Sequence, residues 1–169
     1  QQLGNADQSV RIVLIGDGPI KETLVSKIAE LNLKNVTLVP AQPRESIPKF
    51  LSAADVAIVP LTRQRLIGAL PSKMFDAMAC QRPVILSAAG EACTVLKNAD
   101  AGLIVPPEDA DAVVAAVLKL QRDDELRTQL GRNGRTAVEA HYSRQAQARQ
   151  LEKLLSEVVM GSTDSIEVN

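Results

Sequence analysis

The 169-residue sequence predicts an α/β fold, a doubly wound parallel sheet with helices on both faces and a helical extension at its C-terminal end. Three observations predict it. Short apolar runs of the buried parallel-strand kind recur at Val10 to Ile15, Val36 to Val39, Val56 to Leu61, Pro83 to Ser87 and Gly102 to Val105. The segments between them carry apolar residues at helical spacing, and strands alternating with helices form a parallel sheet covered on both faces. After Pro107 the strands stop and only helical periodicity is left.

The first strand ends at Gly16-Asp17-Gly18-Pro19, after which Leu24, Ile28 and Leu31 recur at helical spacing. Pro19 suits a first helical position, where its missing N–H would be unpaired anyway, and Gly18 permits the tight entry. Beyond Val39 a loop through Pro43 leads to a short helix over Ile47 to Ala54. Further helices are predicted over Pro71 to Ala79 and Glu91 to Lys97. In the C-terminal part Asp109 begins a helix with Val113, Val117 and Leu120 on one stripe, a second runs from Leu126 to His141, and Ser143 caps a third through Val159. Gly131 and Gly134 lower helix propensity inside the second, so close packing against a neighbour is their expected reason. Gly161 to Asn169 is short and polar, a flexible tail.

Composition excludes several classes. With 19 basic against 20 acidic residues and no block of five like charges, there is no basic face to neutralise nucleic-acid phosphates. Phe50, Phe75 and Tyr142 are the only aromatic residues, which excludes base-stacking platforms and a ring-lined pocket. Cys80 and Cys93 lack CxxC spacing and His141 is the single histidine, too thin an inventory for a metal site; a reducing cytoplasm fits. No apolar run approaches the roughly 18 residues of a membrane span, and Gln1 to Gln8 is neither a signal peptide nor a basic anchor. A strong strand within ten residues of a start that is not Met predicts a piece of something longer.

Ligands of open α/β sheets bind beyond the carboxyl ends of the strands, which places Gly16 to Pro19, Pro40 to Pro43, Thr62 to Leu70 and Ala88 to Glu91 on one rim. The richest part is Leu61 to Asp76, where a loop carrying Arg63 and Arg65 runs into Pro71-Ser72-Lys73 at a helix start. Pro71 at the first helical position leaves the N–H groups of Ser72 and Lys73 aligned with the helix dipole, which favours a phosphate or diphosphate. Lys73 adds a cation, and Asp76, one turn on, is placed to accept hydrogen bonds from hydroxyls such as those of ribose. By composition alone the segment reads more readily as a capped surface helix with a solvated basic loop. The Gly16-Asp17-Gly18 turn fails as a dinucleotide fingerprint, because the third glycine would fall at Lys21 and no acid ends the following strand. Glu91 after Gly90 complements a helix dipole, His141 ends a helix far along the chain from the rim, and Cys80, Cys93, Met74 and Met78 read as core.

The order of motifs resembles the carboxy-terminal nucleotide-sugar-binding domain of a GT-B fold retaining glycosyltransferase of family 4, also called group 1. The residues that carry it are Gly16-Asp17-Gly18-Pro19, Asn35-Val36, Ala54-Asp55-Val56, Pro60-Leu61, Pro71 to Ala79, Arg82-Pro83-Val84-Ile85, Gly90-Glu91, Ala101-Gly102-Leu103 and Val105 to Asp109. Their order and spacing over Val10 to Leu155 are specific, and they favour the anion-site reading of Pro71 to Asp76. The resemblance implies a Rossmann-like donor-binding unit over residues 1–160, truncated at its N-terminal side and all-helical from 108, followed by the tail 161–169.

It also implies roles. The donor diphosphate lies at the helix start on Ser72 and Lys73, with Lys73 the catalytic cation that stabilises the departing diphosphate without a metal. Family members carry two acids separated by seven residues; the second, on the ribose hydroxyls, falls on Asp76 and the first falls on Gly68. Sugar recognition then passes to the backbone of Gly68, Ala69 and Leu70 or to another group, and Asp in place of the usual Glu shortens the reach by one methylene. The base is read by backbone near Ala41 and Gln42. Independently of the resemblance, the place of Arg63 and Arg65 in the loop directly ahead of the anion site predicts a clamp on the donor diphosphate or on that of a lipid-linked acceptor. No cofactor beyond the nucleoside diphosphate sugar is implied.

The family's domain opens with one more strand and helix, carrying a basic pair, and works with an N-terminal acceptor domain. The additional strand is central, so its absence leaves an edge beside Val10 to Ile15 open to another segment or to dimerisation with a second copy. The function implied is transfer of a sugar to a glycan or lipid-linked acceptor in polysaccharide or glycolipid synthesis, in the cytoplasm or peripherally at the inner face of the membrane, with the chain alone inactive. The alternatives are a nucleotide-sugar epimerase of the same fold, disfavoured by the few acids and the lack of histidine on the rim, and a non-catalytic doubly wound binding module.

Overall fold

The computed structural model describes residues 2–62 and 70–163. In chain order the elements are α1 (Gln2–Ala6), β1 (Ile12–Ile15), α2 (Lys21–Glu30), β2 (Val36–Val39), a 3-10 turn (Arg44–Ser46) leading into α3 (Ile47–Ala53), and β3 (Ala57–Pro60). Then come α4 (Ser72–Ala79), β4 (Val84–Ser87), α5 (Glu91–Asn98), β5 (Gly102–Val105), α6 (Ala110–Arg122), α7 (Asp124–Ala137), a π-turn (Val138–Tyr142) and α8 (Arg144–Thr163). All strand pairs are parallel, as the α/β reading requires.

The sheet differs from the single five-stranded one expected. β1 pairs with β2 from Ile12↔Val36 to Ile15↔Val39, and β3, β4 and β5 form a separate ladder in that order. Among the described residues no strand pairing joins the two pieces, because β1 and β3 each have a backbone partner on one edge alone. Val13 and Leu14 on β1 and Ile58 on β3 are exposed.

Burial concentrates in the larger piece. Every residue of β4 is buried, the signature of a central strand covered on both faces, which is why Val84 to Leu86 reads as a continuous apolar run. On one face Met74, Ala77 and Met78 of α4 form an i, i+3, i+4 stripe packed with Leu86, Leu96 and Val138. On the other, Ile85 and Val105 meet Ala116 and Leu120 of α6 and Leu130 of α7. Each such large apolar side chain contributes about 1.5–3 kcal/mol by leaving water.

The helical part follows its caps. The Asp109 carboxylate accepts from the Ala112 N–H at 2.9 Å, and Asp123 accepts from Leu126 at 2.9 Å, so α7 starts at Asp124 rather than at Leu126. Gly131 and Gly134 pack closely as expected. A Cβ at Gly134 would stand 3.2 Å from Met78, and one at Gly131 would collide with the Gln81 carbonyl. The helix expected to run to His141 instead passes into the π-turn, and α8 continues through Thr163, so Gly161 is helical where a tail was expected. Residues 164–169 lie outside the described residues.

Two local expectations at the N-terminal side are corrected. α2 begins at Lys21 rather than at Pro19, because Gly18 and Pro19 are used in the preceding turn, and the left-handed backbone falls on Gly16 (φ 144°). Gln2–Ala6, where no element was expected, forms α1 with Leu3 buried. It is tied to α6: the Gln2 amide donates to Asp111 at 2.6 Å and the Gln121 amide to Asp7 at 2.5 Å.

The Ser9 hydroxyl, the Gln121 amide and the Ser9 N–H hold the Asp7 carboxyl down from 3.8 to about 2. A carboxylate whose folded pKa is depressed adds stability that is complete above its unfolded pKa and is lost as pH falls through the folded one. The melting temperature of Asp7→Asn is therefore expected below that of the wild type at pH 5, with the gap closing between pH 4 and about 2. A gap that stays constant down to pH 2 would contradict this account.

Candidate functional site

The carboxyl ends of the strands in each piece are level with one another. In the smaller piece Gly16 N–H donates to the Val39 carbonyl at 3.1 Å. In the larger, Leu61 N–H donates to Ser87 at 2.8 Å and Ala88 N–H to Val105 at 3.2 Å. Because β3 and β4 are neighbours, the helices that follow them, α4 and α5, both present their N-terminal ends at the larger rim.

α4 is asymmetric in how its ends are satisfied. At its C-terminal end cations bind the last carbonyls: Arg135 Nη1 donates to Ala79 at 2.5 Å and Arg82 Nε to Cys80 at 3.2 Å. At its N-terminal end, among the described residues, no side chain caps the helix. Pro71 is the N-cap, in extended conformation (φ −71°, ψ 117°), rather than the first helical residue expected, and its carbonyl receives the Met74 N–H at 3.0 Å. Ser72 and Lys73 are then the first two helical residues, whose N–H groups have no intrahelical acceptor. The shift by one residue keeps the Ser72 and Lys73 N–H groups in the first turn of the helix.

Around that end Ser72, Lys73 and Asp76 are exposed, and Ser72 and Asp76 are one turn apart on one face of α4. Lys73 makes no ion pair with another described residue. Leu70, the one described member of the expected sugar-contacting group, is exposed. Arg63, Arg65, Gly68 and Ala69 lie outside the described residues. Ala41 and Gln42 follow β2, in the smaller piece, where the Gln42 amide donates to the Pro40 carbonyl at 3.0 Å. Among the described residues no strand pairing joins that piece to the β3–β4–β5 ladder against which α4 packs.

Other rim groups have defined states. Asp17, in the turn after β1, accepts from Gly18 N–H at 2.9 Å and from Lys21 Nζ at 3.3 Å; these bonds, the first above all, lower its pKa. Gly90, before α5, takes a left-handed φ of 87° that lets Glu91 start the helix. Burial raises the Cys93 thiol, so slow alkylation relative to a free thiol is expected at pH 8, as measured by maleimide kinetics; a free-thiol rate would contradict it. Among the described residues no three His, Cys, Asp or Glu side chains converge as a metal site would require.

The support behind α4 was missed by sequence reasoning. Phe75 meets Tyr142 with ring centroids 4.9 Å apart, so two of the chain's three aromatic residues form one contact across 67 positions of sequence. The scarcity of rings was the available signal.

Comparison with known proteins gives the site its setting. The family model described as "Glycosyl transferases group 1" matches residues 1–137. The amylovoran biosynthesis glycosyltransferase AmsK of Erwinia amylovora is 27% identical over 145 residues, which is 84% of this chain and 36% of that protein. The N-acetyl-alpha-D-glucosaminyl L-malate synthase of Bacillus anthracis is 23% identical over 88% of this chain and 38% of its own length. The chain thus spans little more than a third of these relatives. Among solved structures, sucrose-phosphate synthase from Thermosynechococcus elongatus superposes with a TM-score of 0.74 at 29% identity, covering 89% of this chain and 39% of that one. Anabaena HepE in complex with UDP-glucose superposes with a TM-score of 0.77 at 19% identity, covering 92% and 43%. With the family model matching most of the sequence, and parallel strands and helices superposing on these enzymes, the chain belongs to the glycosyl transferases group 1 family.

Proposed function

We propose that this chain is the donor-binding part of a glycosyltransferase that moves a sugar from a nucleoside diphosphate to a glycan or lipid-linked acceptor. The observation that carries this reading is the N-terminal end of α4: no side chain of the described residues caps it, it faces the rim, and Lys73 and Asp76 stand exposed beside it. The Ser72 and Lys73 N–H groups and the Lys73 ammonium bind the diphosphate, and the same groups stabilise the negative charge that grows on it as the sugar departs. No metal is needed for that charge, and the sugar is transferred with retention of its anomeric configuration. Asp76 accepts from the ribose hydroxyls, backbone at Ala41 and Gln42 reads the base, and sugar recognition is assigned to Gly68, Ala69 and Leu70.

A relative named for amylovoran biosynthesis, and a fold neighbour solved with UDP-glucose, support a nucleotide-sugar donor and a polysaccharide product. No described helix is long and apolar enough to cross a membrane. The transfer itself is assigned to the cytoplasm or the inner face of the membrane. The acceptor site belongs to the part of the relatives that this chain does not span, so the isolated chain is expected to bind donor weakly and to transfer no sugar.

Calorimetric titration of the chain with UDP, GDP, ADP and their sugar conjugates tests the reading. Selective binding of one base, with a dissociation constant of roughly 0.1–1 mM, is expected for a site that lacks part of its contacts. Equal, salt-sensitive binding of all three and of inorganic diphosphate would contradict a donor site. Arg63 and Arg65 are assigned to a diphosphate clamp. Charge reversal at both is expected to raise the donor or acceptor KM of the full-length enzyme about tenfold or more, each lost charge-assisted contact being worth roughly 1.5–3 kcal/mol. Unchanged constants would remove them from the site.

A further inference from the structure

Resting on the donor-site reading, we propose that Tyr142 is a positioning residue for that site, acting through Phe75 to set the pose of α4. The sheet-facing side of α4 is smooth. Met74, Ala77 and Met78 pack against apolar neighbours, and Gly134 lets α7 lie against Met78 with no side chain between them. Such a surface holds a helix close but resists rotation and sliding weakly, since it offers no directional contact. Direction comes from the flank, where Phe75, between the turns that carry Ser72 and Ala79, abuts Tyr142 at 4.9 Å with the rings inclined by 42°. That spacing is within the range in which aromatic pairs attract beyond their area burial. Together with the Arg135 bond to the Ala79 carbonyl, it fixes α4 at two points along its length.

Tyr142 can act as a stop because its own backbone is held on both sides. It ends the π-turn, in which Ser143 N–H donates to the Val138 carbonyl at 2.8 Å. The extra residue of a π-turn swings the following side chains by about 100° relative to a continuous α-helix. Beyond it, Ser143 Oγ accepts from Ala146 N–H at 3.1 Å and the Gln147 amide donates to the His141 carbonyl at 2.6 Å. The ring therefore projects from a turn bonded to α8 as well as to α7. A site made of helix-start N–H groups is sensitive to the pose of that helix, since displacements of about 1 Å at a binding or reacting centre have large consequences.

The test compares Tyr142→Ala and Tyr142→Phe with the wild-type chain, well below the melting temperature measured for each. Amide hydrogen exchange is read by NMR over Met74 to Ala79 and over β4, and binding of UDP, GDP and ADP by calorimetry. For Tyr142→Ala, exchange about tenfold faster in α4 with β4 unchanged is expected, along with roughly fivefold weaker binding of the selected diphosphate. Tyr142→Phe, which keeps the ring, is expected to restore both. Unchanged α4 exchange, or a lowered melting temperature with unchanged affinity, overturns the role of Tyr142 while the donor site stands. A wild-type chain that binds none of the three overturns the donor-site reading itself and the role of Tyr142 with it.

Discussion

Gly102→Ala is expected to lower the stability of the chain by about 3 kcal/mol or more, the upper range for overpacking a well-packed site. Gly102 opens β5 opposite Val84, and a Cβ there would run into the Val84 carbonyl and its neighbouring backbone atoms. A flexible side chain could move aside, but these atoms belong to β4, whose residues are all buried and which is paired on both edges. Relief would have to come from β5, but the carbonyl of Ala101, just before it, receives the Val84 N–H at 3.1 Å, and Val105 packs with Ile85 and Leu120. For a domain of this size, 3 kcal/mol corresponds to a fall of about 6–12 °C in melting temperature. Gly18→Ala is the control, since nothing lies within 4 Å of an added Cβ there; it is expected to change stability by less than about 0.5 kcal/mol. Equal melting temperatures for the two variants would contradict the packing of β5 on β4.

Asp76→Ala is expected to separate binding from stability. Asp76 is exposed on α4 and its carboxylate has no hydrogen bond or ion pair to another described residue, so its loss leaves the melting temperature within about 2 °C of the wild type. A carboxylate receiving hydroxyl hydrogen bonds from a ligand contributes about 1.5–3 kcal/mol, so nucleoside diphosphate binding should weaken roughly 10- to 100-fold. Asp76→Glu, which restores the methylene usual in the family, is expected to bind at least as tightly as the wild type. Calorimetry on the three proteins checks both statements. Unchanged affinity in Asp76→Ala would take the ribose away from this residue.

How much could be read from the residues depends on where the information lies. β4 was legible because a strand buried on both faces must be apolar throughout, and α4 because its buried stripe has helical spacing. The close packing at Gly131 and Gly134 was legible from its cost, since glycine inside a helix needs a compensating contact. α1 was not legible: five residues with one buried leucine are too short for periodicity, and the helix is held by side-chain bonds to α6 more than a hundred positions away. The π-turn escaped for a different reason, because an inserted residue leaves propensity unchanged and is fixed by the Ser143 N–H bond to Val138. The shift of Pro71 from first helical residue to cap is a one-residue matter of backbone dihedrals that proline tolerates in either place. For the site, helix start, cation and acid were readable as one cluster, whereas the aromatic support behind them required knowing that Phe75 and Tyr142 meet.

Seating of a nucleoside diphosphate on the N-terminal end of α4 is read out by an NMR titration of the labelled chain with UDP, GDP and ADP, following backbone amides. Saturable shifts are expected for one of them, largest at the Ser72 and Lys73 amides, extending to Asp76 and the Ala88 to Glu91 turn, and absent from α6 and α8. Saturable shifts centred elsewhere, or no shift at the first turn of α4 at millimolar ligand, would contradict that seating.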